Sequence, residues 1–438
     1  MYNVLVIYCG DQYPVRATIK DHLYSFQRYS KQRVFYLNLS VRSVPWYFRF
    51  MRFDLIIFHT IFLSTRWTAG YFEKMLRKAR PLKALDAVKV ALPQDEFLHT
   101  DVVCDFINEF GVSHVFSVAL PSEWPKIYHS VDRERVKFTT VLTGYLEDGT
   151  IARINALART AGRRVIDIGY RAYKAAPWLG RHGFLKTQIA DVFQERVRRT
   201  ALKADISTRA EDTFLGDAWY EFLLRCKYTL GVEGGASILD RNGAVRKRTE
   251  EYLTSRPQAD FDEVESACFP GLDGKLSFFP LSPRHLEACA TRTCQVLVEG
   301  EYNHILTAGE HYIELKRDFS NIDQVLDDIK RDDLRQGITD RAYRDIVESG
   351  KYTYRSFVEQ VIAQSLSAAP DALPEGRREN PLISGWMRVA DRLSWVVVML
   401  RWYAVIRMKQ KVRGWLVARY SEQTVSSWLR RLRGQPET

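Results

Sequence analysis

The chain contains 438 residues, 46% of them apolar and 27% charged, with a formal net charge of +11 and a pI near 9.2. The ordinary apolar content and the 13% of aromatic residues exclude a collagen-like, disulfide-rich or wholly disordered protein. The length predicts two or three domains, each large enough for its own core. Residues 381–438 carry a net charge of +8, which leaves +3 for the rest of the chain. The basic character therefore belongs to the C-terminal tail.

The six cysteines are scattered without CxxC pairs, so neither a zinc site nor a disulfide framework is indicated. This pattern favours reduced core cysteines in a cytosolic protein. The N-terminus has no basic region and no long apolar run, and is interpreted as a first strand, not as a signal peptide. The longest strongly apolar stretch, 393–406, spans about 21 Å as a helix, less than the roughly 30 Å of a bilayer core. The sequence therefore predicts no transmembrane span and a cytoplasmic location.

The first 145 residues alternate short β-rich runs with helical patterns. Strands are predicted at 4–9, 33–39, 53–58, 88–92 and 114–120, and helices at 18–30, 71–79 and 100–110. Segment 53–58 is a near-continuous apolar run, as expected for a parallel strand that is covered on both faces. The alternation predicts a doubly wound, Rossmann-like α/β domain over 1–145. The turn-forming segment 142–149 is interpreted as a hinge.

A second α/β unit is predicted over 146–369. Its strands are predicted at 164–169, 204–207, 228–232 and 294–298, and its helices at 151–161, 184–204, 217–226, 284–291, 322–331, 340–348 and 354–365, with 241–279 irregular. A linker at 370–381 precedes a helical tail at 382–438. Two such domains place a ligand cleft between the carboxyl ends of their sheets. Because neither GxGxxG nor GxxxxGK[ST] occurs, a dinucleotide oxidoreductase and a P-loop NTPase are disfavoured.

The strongest chemical pattern lies at the end of the predicted strand 228–232, where Glu233 is followed by Gly234 and Gly235. A carboxylate at a strand end beside bare backbone can approach a phosphate or a sugar. The alternative is a glycine turn with a solvated Glu. A partner segment begins at Ser282, a natural helix N-cap, and carries Glu287 in its second turn. Candidate donor-binding residues in that segment are Ser282, Arg284, His285 and Glu287, although Arg284 and Glu287 also fit an ordinary helix-surface pair.

A basic cluster contains Arg171, Arg181 and Lys186, at a strand end and at the start of a helix. Such residues can clamp a diphosphate, and solvated surface charge is the alternative. A fourth pattern, Asp95 and Glu96, follows the strand at 88–92. These carboxylates are candidate general bases for an acceptor, and loop acids without a role in catalysis are the alternative.

The runs 281–288 (LSPRHLEA) and 311–315 (HYIEL) resemble the donor half of GT-B glycosyltransferases that build bacterial surface polysaccharides, including the spore-maturation-protein-like and family-1-like groups. The resemblance implies that Glu287 binds a ribose, Glu233 the donor sugar, and Arg171 with Lys186 the nucleotide diphosphate. Asp95 or Glu96 is then expected to activate the acceptor. The chain departs from the compact family motif, in which seven residues separate the two glutamates, because 53 residues intervene here.

The expected activity is therefore sugar transfer from a nucleotide-sugar donor to a lipid-linked glycan, as in lipopolysaccharide O-antigen synthesis. The resemblance implies basic side chains in place of a metal ion, and no cofactor. Inverting and retaining mechanisms both stay open. The alternative is a non-catalytic, membrane-associated α/β scaffold that binds a nucleotide or a glycan.

The tail combines five of the ten tryptophans with most of the excess positive charge. Trp395 and Trp402 lie seven residues apart and share a helix face. Such a helix fits the inner surface of an anionic membrane. The predicted membrane-contacting residues are Trp395, Arg401, Trp402, Arg407 and Trp415. The alternatives are a helical hairpin packed on the second domain, an oligomer interface and, with no supporting motif, nucleic-acid binding.

Overall fold

The computed structural model describes residues 1–367 and 381–420, so part of the predicted linker and the end of the tail lie outside the described residues. The N-terminal part contains one parallel sheet of order β2-β1-β3-β4-β5-β6. Its strands are β1 Asn3–Tyr8, β2 Arg33–Asn38, β3 Leu55–Phe58, β4 Val88–Ala91, β5 His114–Ser117 and β6 Lys137–Thr140. Its helices are α1 Ala17–Tyr29, α2 Thr60–Leu63, α3 Tyr71–Ala79, α4 Thr100–Phe110 and α5 Trp124–Ile127.

The second part contains a parallel sheet of order β11-β10-β9-β7-β8. Its strands are β7 Ile166–Arg171, β8 Ala204–Ser207, β9 Cys226–Gly231, β10 Cys294–Val298 and β11 Ile313–Leu315. The helices that follow the hinge are α6 Asp148–Thr160, α7 Gly180–Val197, α8 Asp217–Arg225, α9 Ala244–Ser255, α10 Phe261–Cys268, α11 Pro283–Ala290, α12 Ile322–Asp328, α13 Asp332–Ala342, α14 Tyr354–Leu366 and α15 Pro381–Arg419. A π-helical segment, Tyr343–Glu348, continues α13.

The predicted fold class is confirmed, because each part is a parallel sheet with helices in its crossover connections. All six residues of β1 are buried, as are all four of β3, since helices cover both faces of a parallel sheet. The edge strand β6 was not predicted. Its four residues are partly or wholly exposed, so it has no apolar run to identify it.

The prediction that 241–279 is irregular is wrong, because this segment contains α9 and α10. The carboxylate of Asp240 accepts hydrogen bonds from the amides of Val245 (3.3 Å) and Arg246 (2.8 Å) at the start of α9. Asp260 caps α10 through the amide of Glu263 at 2.9 Å. Few apolar residues of α9 are buried, so its sequence lacks the apolar period that would identify a helix.

Two segments from the second half of the chain complete the core of the first domain. Helix α14 packs against α1, and buries Tyr354, Phe357 and Val361 in that core. The segment between β9 and β10 does the same through Phe278, whose ring lies 5.4 Å from that of Phe97. These contacts join the second half of the chain to the first domain.

The long helix α15 docks on the first domain by its first half. Trp395 is half-buried against Tyr8, with their ring centroids 5.8 Å apart. Trp395 therefore contacts protein, in contrast to its predicted membrane contact, because an aromatic side chain fits the open backbone at Gly10. Arg401, Trp402, Arg407 and Trp415 have their side chains partly or largely exposed, and their membrane contact stays a prediction. Among residues 1–367 and 381–420, no helix combines the length and the apolar character needed to cross a bilayer.

Candidate active site

The site lies where the carboxyl ends of the two sheets face each other. In an open α/β sheet, ligands bind at the point where the strand order reverses direction. That point falls between β1 and β3 in the first sheet and between β7 and β9 in the second. Tyr173 follows β7, Glu233 follows β9, and Asp95 follows β4. The predicted residues can therefore be placed one by one around this cleft.

Glu233 is buried under a loop of residues 300–304. Its Oε1 accepts hydrogen bonds from the amides of Glu301 (3.1 Å) and Tyr302 (2.7 Å). Burial raises the pKa of Glu233 to about 7, although these amides oppose the shift. A Cβ at Gly300 would lie 2.5 Å from the Glu233 carboxylate, so this close approach requires glycine. The loop thus holds the carboxylate at the strand end in one orientation.

The loop is strained and also positions the donor helix α11. Tyr302, Asn303 and His304 have φ values of 45°, 54° and 57°, a left-handed conformation that non-glycine residues rarely adopt. The side chain of Asn303 accepts a hydrogen bond from the Leu281 amide at 2.6 Å. The sequence analysis missed this loop. Its position directly after the strand at 294–298 was the signal that could have identified it.

Glu287 lies on α11 at the boundary between the domains. Its Oε2 accepts a hydrogen bond from the indole nitrogen of Trp219 at 2.8 Å, and burial raises its pKa to about 7. The Arg284 guanidinium lies over the Trp219 ring at 5.4 Å, and its Nη1 donates to the carbonyl of Arg171 at 2.7 Å. Ser282 occupies the N-cap of α11, but its side chain makes no capping hydrogen bond. Pro283 has no amide hydrogen and the His285 amide donates to the Ser282 carbonyl, so the Arg284 amide is the donor that the first turn of this helix offers to a ligand.

Lys186 and Asp95 approach each other from opposite domains. Burial lowers the pKa of Lys186 to about 8, the cation of Arg284 lowers it further, and the carboxylate of Asp95 opposes the shift. The side chain of Asp95 is exposed to solvent, yet the surrounding protein raises its pKa, while the charges of Arg66 and Lys186 lower it. The ammonium of Lys186 also lies 5.3 Å from the ring centroid of Tyr173. Lys186, Arg284 and Asp95 therefore form one electrostatic group across the cleft.

A buried arginine holds the loop that carries Asp95. Arg66 donates to the carbonyls of Gln94 (2.6 Å), Asp95 (2.7 Å) and Leu98 (3.0 Å). Asp95 and His99 have φ values of 51° and 52°, so this loop is also strained. The sequence analysis missed Arg66, since nothing in the surrounding segment 64–67 indicates a buried cation.

Arg171 does not face the cleft. Its Nη2 pairs with Asp205 at 2.7 Å, and its other nitrogens donate to the carbonyls of Tyr170, Asp205 and Asp212. Its guanidinium also lies within 5.0 Å of the Phe214 and Phe222 rings. The predicted diphosphate contact is therefore wrong for Arg171, whose hydrogen-bonding groups are occupied by protein.

Four other predicted donor-binding residues have partners within the protein. Arg181 pairs with Asp262 (2.8 Å) and Glu265 (2.6 Å), and so joins α7 to α10 at the surface. His285 is buried, with its ring nitrogens 2.9 Å from Gln295 Oε1 and 3.2 Å from the Val232 carbonyl. The remaining two are the glycines that follow Glu233: the amide of Gly234 donates to the Pro280 carbonyl, and Gly235 has φ 87°. A Cβ at Gly235 would collide with the Phe278 carbonyl, so close approach of the chain, not of a phosphate, explains this glycine.

Glu96 points away from the cleft into the first domain. Its carboxylate accepts hydrogen bonds from Ser117 Oγ, the Val118 amide (2.8 Å) and the Tyr128 hydroxyl (2.9 Å). Only 3% of its surface is exposed. Glu96 therefore has a structural role, and of the two predicted bases only Asp95 reaches the cleft.

Arg317 is a cation that the sequence analysis missed. It follows β11, is exposed, and lowers the pKa of the Glu233 carboxylate through its charge. The short strand β11 was not predicted, so its carboxyl end could not be used to find Arg317. Within residues 1–367 and 381–420, no group of three or more His, Cys, Asp or Glu side chains is placed to hold a metal ion.

No protein family model matches the chain, and no curated protein sequence matches it. Among solved structures, the chain is similar to TarM, with a TM-score of 0.41 and 10% identity over 71% of this chain and 54% of TarM. It is similar to Anabaena HepE in complex with UDP-glucose, with a TM-score of 0.43 and 12% identity over 84% of this chain and all of HepE. It is also similar to the trehalose-6-phosphate synthase OtsA, with a TM-score of 0.46 and 8% identity over 84% of this chain and all of OtsA. Because these values are low, the function is inferred from the geometry of the site.

Proposed function

We propose that the chain is a GT-B glycosyltransferase that moves a sugar from a nucleotide-sugar donor to a glycan acceptor. The observation that carries the proposal is the placement of Lys186, Arg284 and Glu287 around one cleft, with Asp95 opposite them on the other domain. Two cations and a helix N-terminus suit a diphosphate leaving group. A carboxylate one turn away along the same helix suits the hydroxyls of a ribose.

Each residue has a role in this proposal. Lys186 and Arg284 bind the diphosphate and stabilise the charge that develops as the sugar leaves. Glu287 accepts hydrogen bonds from the ribose through the oxygen that Trp219 leaves free. Glu233, held by the loop 300–304, orients the donor sugar. Asp95 accepts the proton of the acceptor hydroxyl, and its raised pKa suits a general base.

We also propose that the acceptor is a lipid-linked glycan of a bacterial surface polysaccharide, such as an O-antigen, met at the inner face of the membrane. The part of α15 beyond Leu400 supports this. It exposes apolar side chains, among them Trp402, Met408 and Trp415, together with basic ones. A helix of that composition binds anionic bilayers through both apolar burial and charge.

Thermal-shift measurements with UDP-, GDP-, CMP- and dTDP-sugars test the proposal. We expect one nucleotide class to raise the Tm of the wild-type protein, and Lys186→Met to abolish that rise. Arg181→Met is the matched control, because Arg181 lies on the same helix but pairs with surface carboxylates. If no nucleotide sugar raises the Tm, the non-catalytic scaffold is favoured. If Arg181→Met abolishes the rise as Lys186→Met does, the assignment of Lys186 is wrong.

A further inference from the structure

Helix α15 has two halves with different surroundings. Its buried positions form one stripe that consists of Ser384, Met387, Ala390, Asp391, Ser394 and Val398. The spacing of three and four residues is that of a helix face packed on a neighbour. The stripe ends at Val398, although the helix continues to Arg419. We call 381–400 the docked half and 401–419 the protruding half, which extends about 28 Å.

The docked half is held by a polar contact at the carboxyl end of β1. The Asp391 carboxylate accepts hydrogen bonds from the hydroxyls of Tyr8 (2.7 Å) and Tyr24 (2.9 Å). The indole of Trp395 donates to the hydroxyl of Tyr24 and covers Gly10, where a Cβ would lie 2.5 Å from the ring. These contacts fix the direction of the helix, and so fix where the protruding half leaves the first domain.

Three cations meet at the root of the protruding half. Lys78 Nζ donates to the carbonyl of Leu39 at 2.6 Å, and Arg401 Nη1 to the carbonyl of the next residue, Ser40, at 3.4 Å. Anchoring on consecutive carbonyls brings the two cations together, and Lys74 lies one turn before Lys78 on α3. Burial lowers the pKa of Lys78, and the charges of Lys74 and Arg401 lower it further. We call Lys74, Lys78 and Arg401 the β2-edge cluster.

The β2-edge cluster lacks a protein counter-charge of its own. Within residues 1–367 and 381–420, none of the three cations takes part in an ion pair. Burial raises the pKa of Tyr71 while the charge of Arg401 opposes the shift, and Tyr71 is hydrogen-bonded to the carboxylate of Asp11. Like charges held together without an anion repel one another, so a bound anion would relieve this repulsion.

We propose that the β2-edge cluster binds the phosphate of a lipid-linked acceptor. This inference rests on the proposed function. The cluster lies at the carboxyl edge of the acceptor-side sheet, where β1 and β2 end. Its Arg401 is the first residue of the half that exposes apolar and basic side chains. If that half lies on an anionic bilayer, lipid phosphates reach the cluster while the attached glycan extends towards Asp95 in the cleft.

Vesicle sedimentation of the full chain tests the proposal. The vesicles are phosphatidylcholine with either phosphatidylglycerol or a long-chain polyprenyl phosphate, matched in charge. We expect the wild type to bind polyprenyl phosphate vesicles about tenfold more tightly than phosphatidylglycerol vesicles. The double variant Lys74→Gln/Arg401→Gln should lose this preference. The matched control Lys409→Gln/Lys411→Gln removes two charges from the protruding half, and should weaken binding to both vesicles while keeping the preference.

The proposal is overturned if the wild type shows no preference, or if both double variants change the preference equally. Added inorganic pyrophosphate distinguishes a lipid from a free anion. If the wild type prefers polyprenyl phosphate vesicles and pyrophosphate reduces its binding to them, the result supports a lipid phosphate as the ligand. Protection by pyrophosphate against heat, without any vesicle preference, overturns it in favour of a free anion.

A failed fold is distinguishable, because the substituted cations are exposed or half-buried and both double variants should keep the wild-type Tm. The donor thermal shift separates this proposal from the proposed function. If the protein prefers polyprenyl phosphate vesicles but no nucleotide sugar stabilises it, the proposed role of the β2-edge cluster is supported and the proposed transferase activity is contradicted. If a nucleotide sugar stabilises the protein but the vesicle preference is absent, the transferase proposal is supported and the proposed role of the cluster is contradicted.

Discussion

The two sheets reverse strand order in the same way but use the resulting crevices differently. In the second sheet, Lys186 and Arg284 lie beside the crevice between β7 and β9, where Tyr173 and Arg284 are exposed. In the first sheet, Trp395 covers the end of β1, and His59 after β3 pairs with His22 at a ring-nitrogen distance of 2.8 Å. The second crevice is therefore built mainly by its own domain. The first crevice depends on helix α15, which comes from the second half of the chain.

The histidine pair shows how completely the first crevice is filled. His59 Nδ1 accepts a hydrogen bond from the Ile61 amide at 3.3 Å, so its proton is assigned to Nε2, which donates to His22. Burial lowers the pKa of His22 to about 4 and the pKa of His59 well below its ordinary value. Both rings are thus neutral at pH 7 and contribute to packing. The charged side chains, Lys186 and Arg284, lie beside the other crevice.

The sharpest test of the second crevice is Lys186→Met. We expect kcat/KM to fall about a hundredfold or more, because a developing diphosphate charge loses its desolvated cation. Initial rates with the nucleotide sugar that raises the Tm measure this. Arg181→Met should keep its rate within about twofold, since an exposed ion pair contributes little. Equal losses in both variants would contradict the assignment of the cleft to Lys186.

The covered crevice is tested by Asp391→Ala. This change leaves the hydroxyls of Tyr8 and Tyr24 without their acceptor, and we expect a loss of about 2 kcal/mol in the free energy of unfolding. Urea denaturation measures it. Arg392→Ala, at the neighbouring exposed residue, is the control, and its free energy of unfolding should fall by less than about 0.5 kcal/mol. If both variants are equally stable, the docked half does not depend on this contact.

Glu233→Gln tests whether burial of the Glu233 carboxylate under the loop 300–304 destabilises the folded protein. The folded pKa of Glu233, about 7, lies above its ordinary value of 4.5, so the folded state binds the proton more tightly than the unfolded state. Its contribution to stability is therefore present at low pH and is lost as pH rises through about 7. Gln keeps the acceptor oxygen without the charge, and should stabilise the protein by about 1 kcal/mol near pH 8 and much less near pH 5. Thermal unfolding at both pH values measures this.

A control and a contradicting result complete that test. Glu310→Gln changes an exposed carboxylate and should shift the Tm equally little at both pH values. A stabilisation by Glu233→Gln that does not grow with pH would mean that the carboxylate is not destabilised by burial.

The smallest expected effect concerns the basic limb of the pH profile. Because the pKa of Lys186 is lowered to about 8, kcat/KM should decline above about pH 8 as the cation is lost. A bound diphosphate favours the charged form, so the same limb in kcat should lie at higher pH. Lys186→Arg should remove the limb at a cost of a few-fold in rate, since arginine stays protonated. A limb that persists in the variant belongs to another group.

Much of the fold followed from local patterns. The helix α4 has the bounds that its apolar period predicts, 100–110, and each predicted strand is present. Two of the missed elements, α9 and β6, have few buried apolar residues and are stabilised by caps and neighbours, whereas α10 and β11 were missed although they bury apolar side chains. Local pattern identifies an element only when the element buries one face of its own.

The candidate site residues also divide into those that a local sequence pattern indicates and those whose orientation depends on the tertiary structure. Glu287 and Lys186 were predicted because carboxylates and lysines at strand ends and early helical turns are recognisable in sequence, and their roles stay predictions. Arg171 was misassigned because a strand alternates its side chains, and the last residue of β7 points at Phe222 and not at the cleft. Sequence position alone does not decide which side of a strand end a cation faces.

The sequence by itself determined the two α/β domains and the location of the excess positive charge in the tail, because these depend on composition and short-range spacing. Only the tertiary structure decided that Arg171 is turned away from the cleft and that α15 docks on the first domain. The contact between Tyr8 and Asp391 joins residues 383 positions apart. The position of the tail charge therefore depends on a buried hydrogen bond that no local pattern contains.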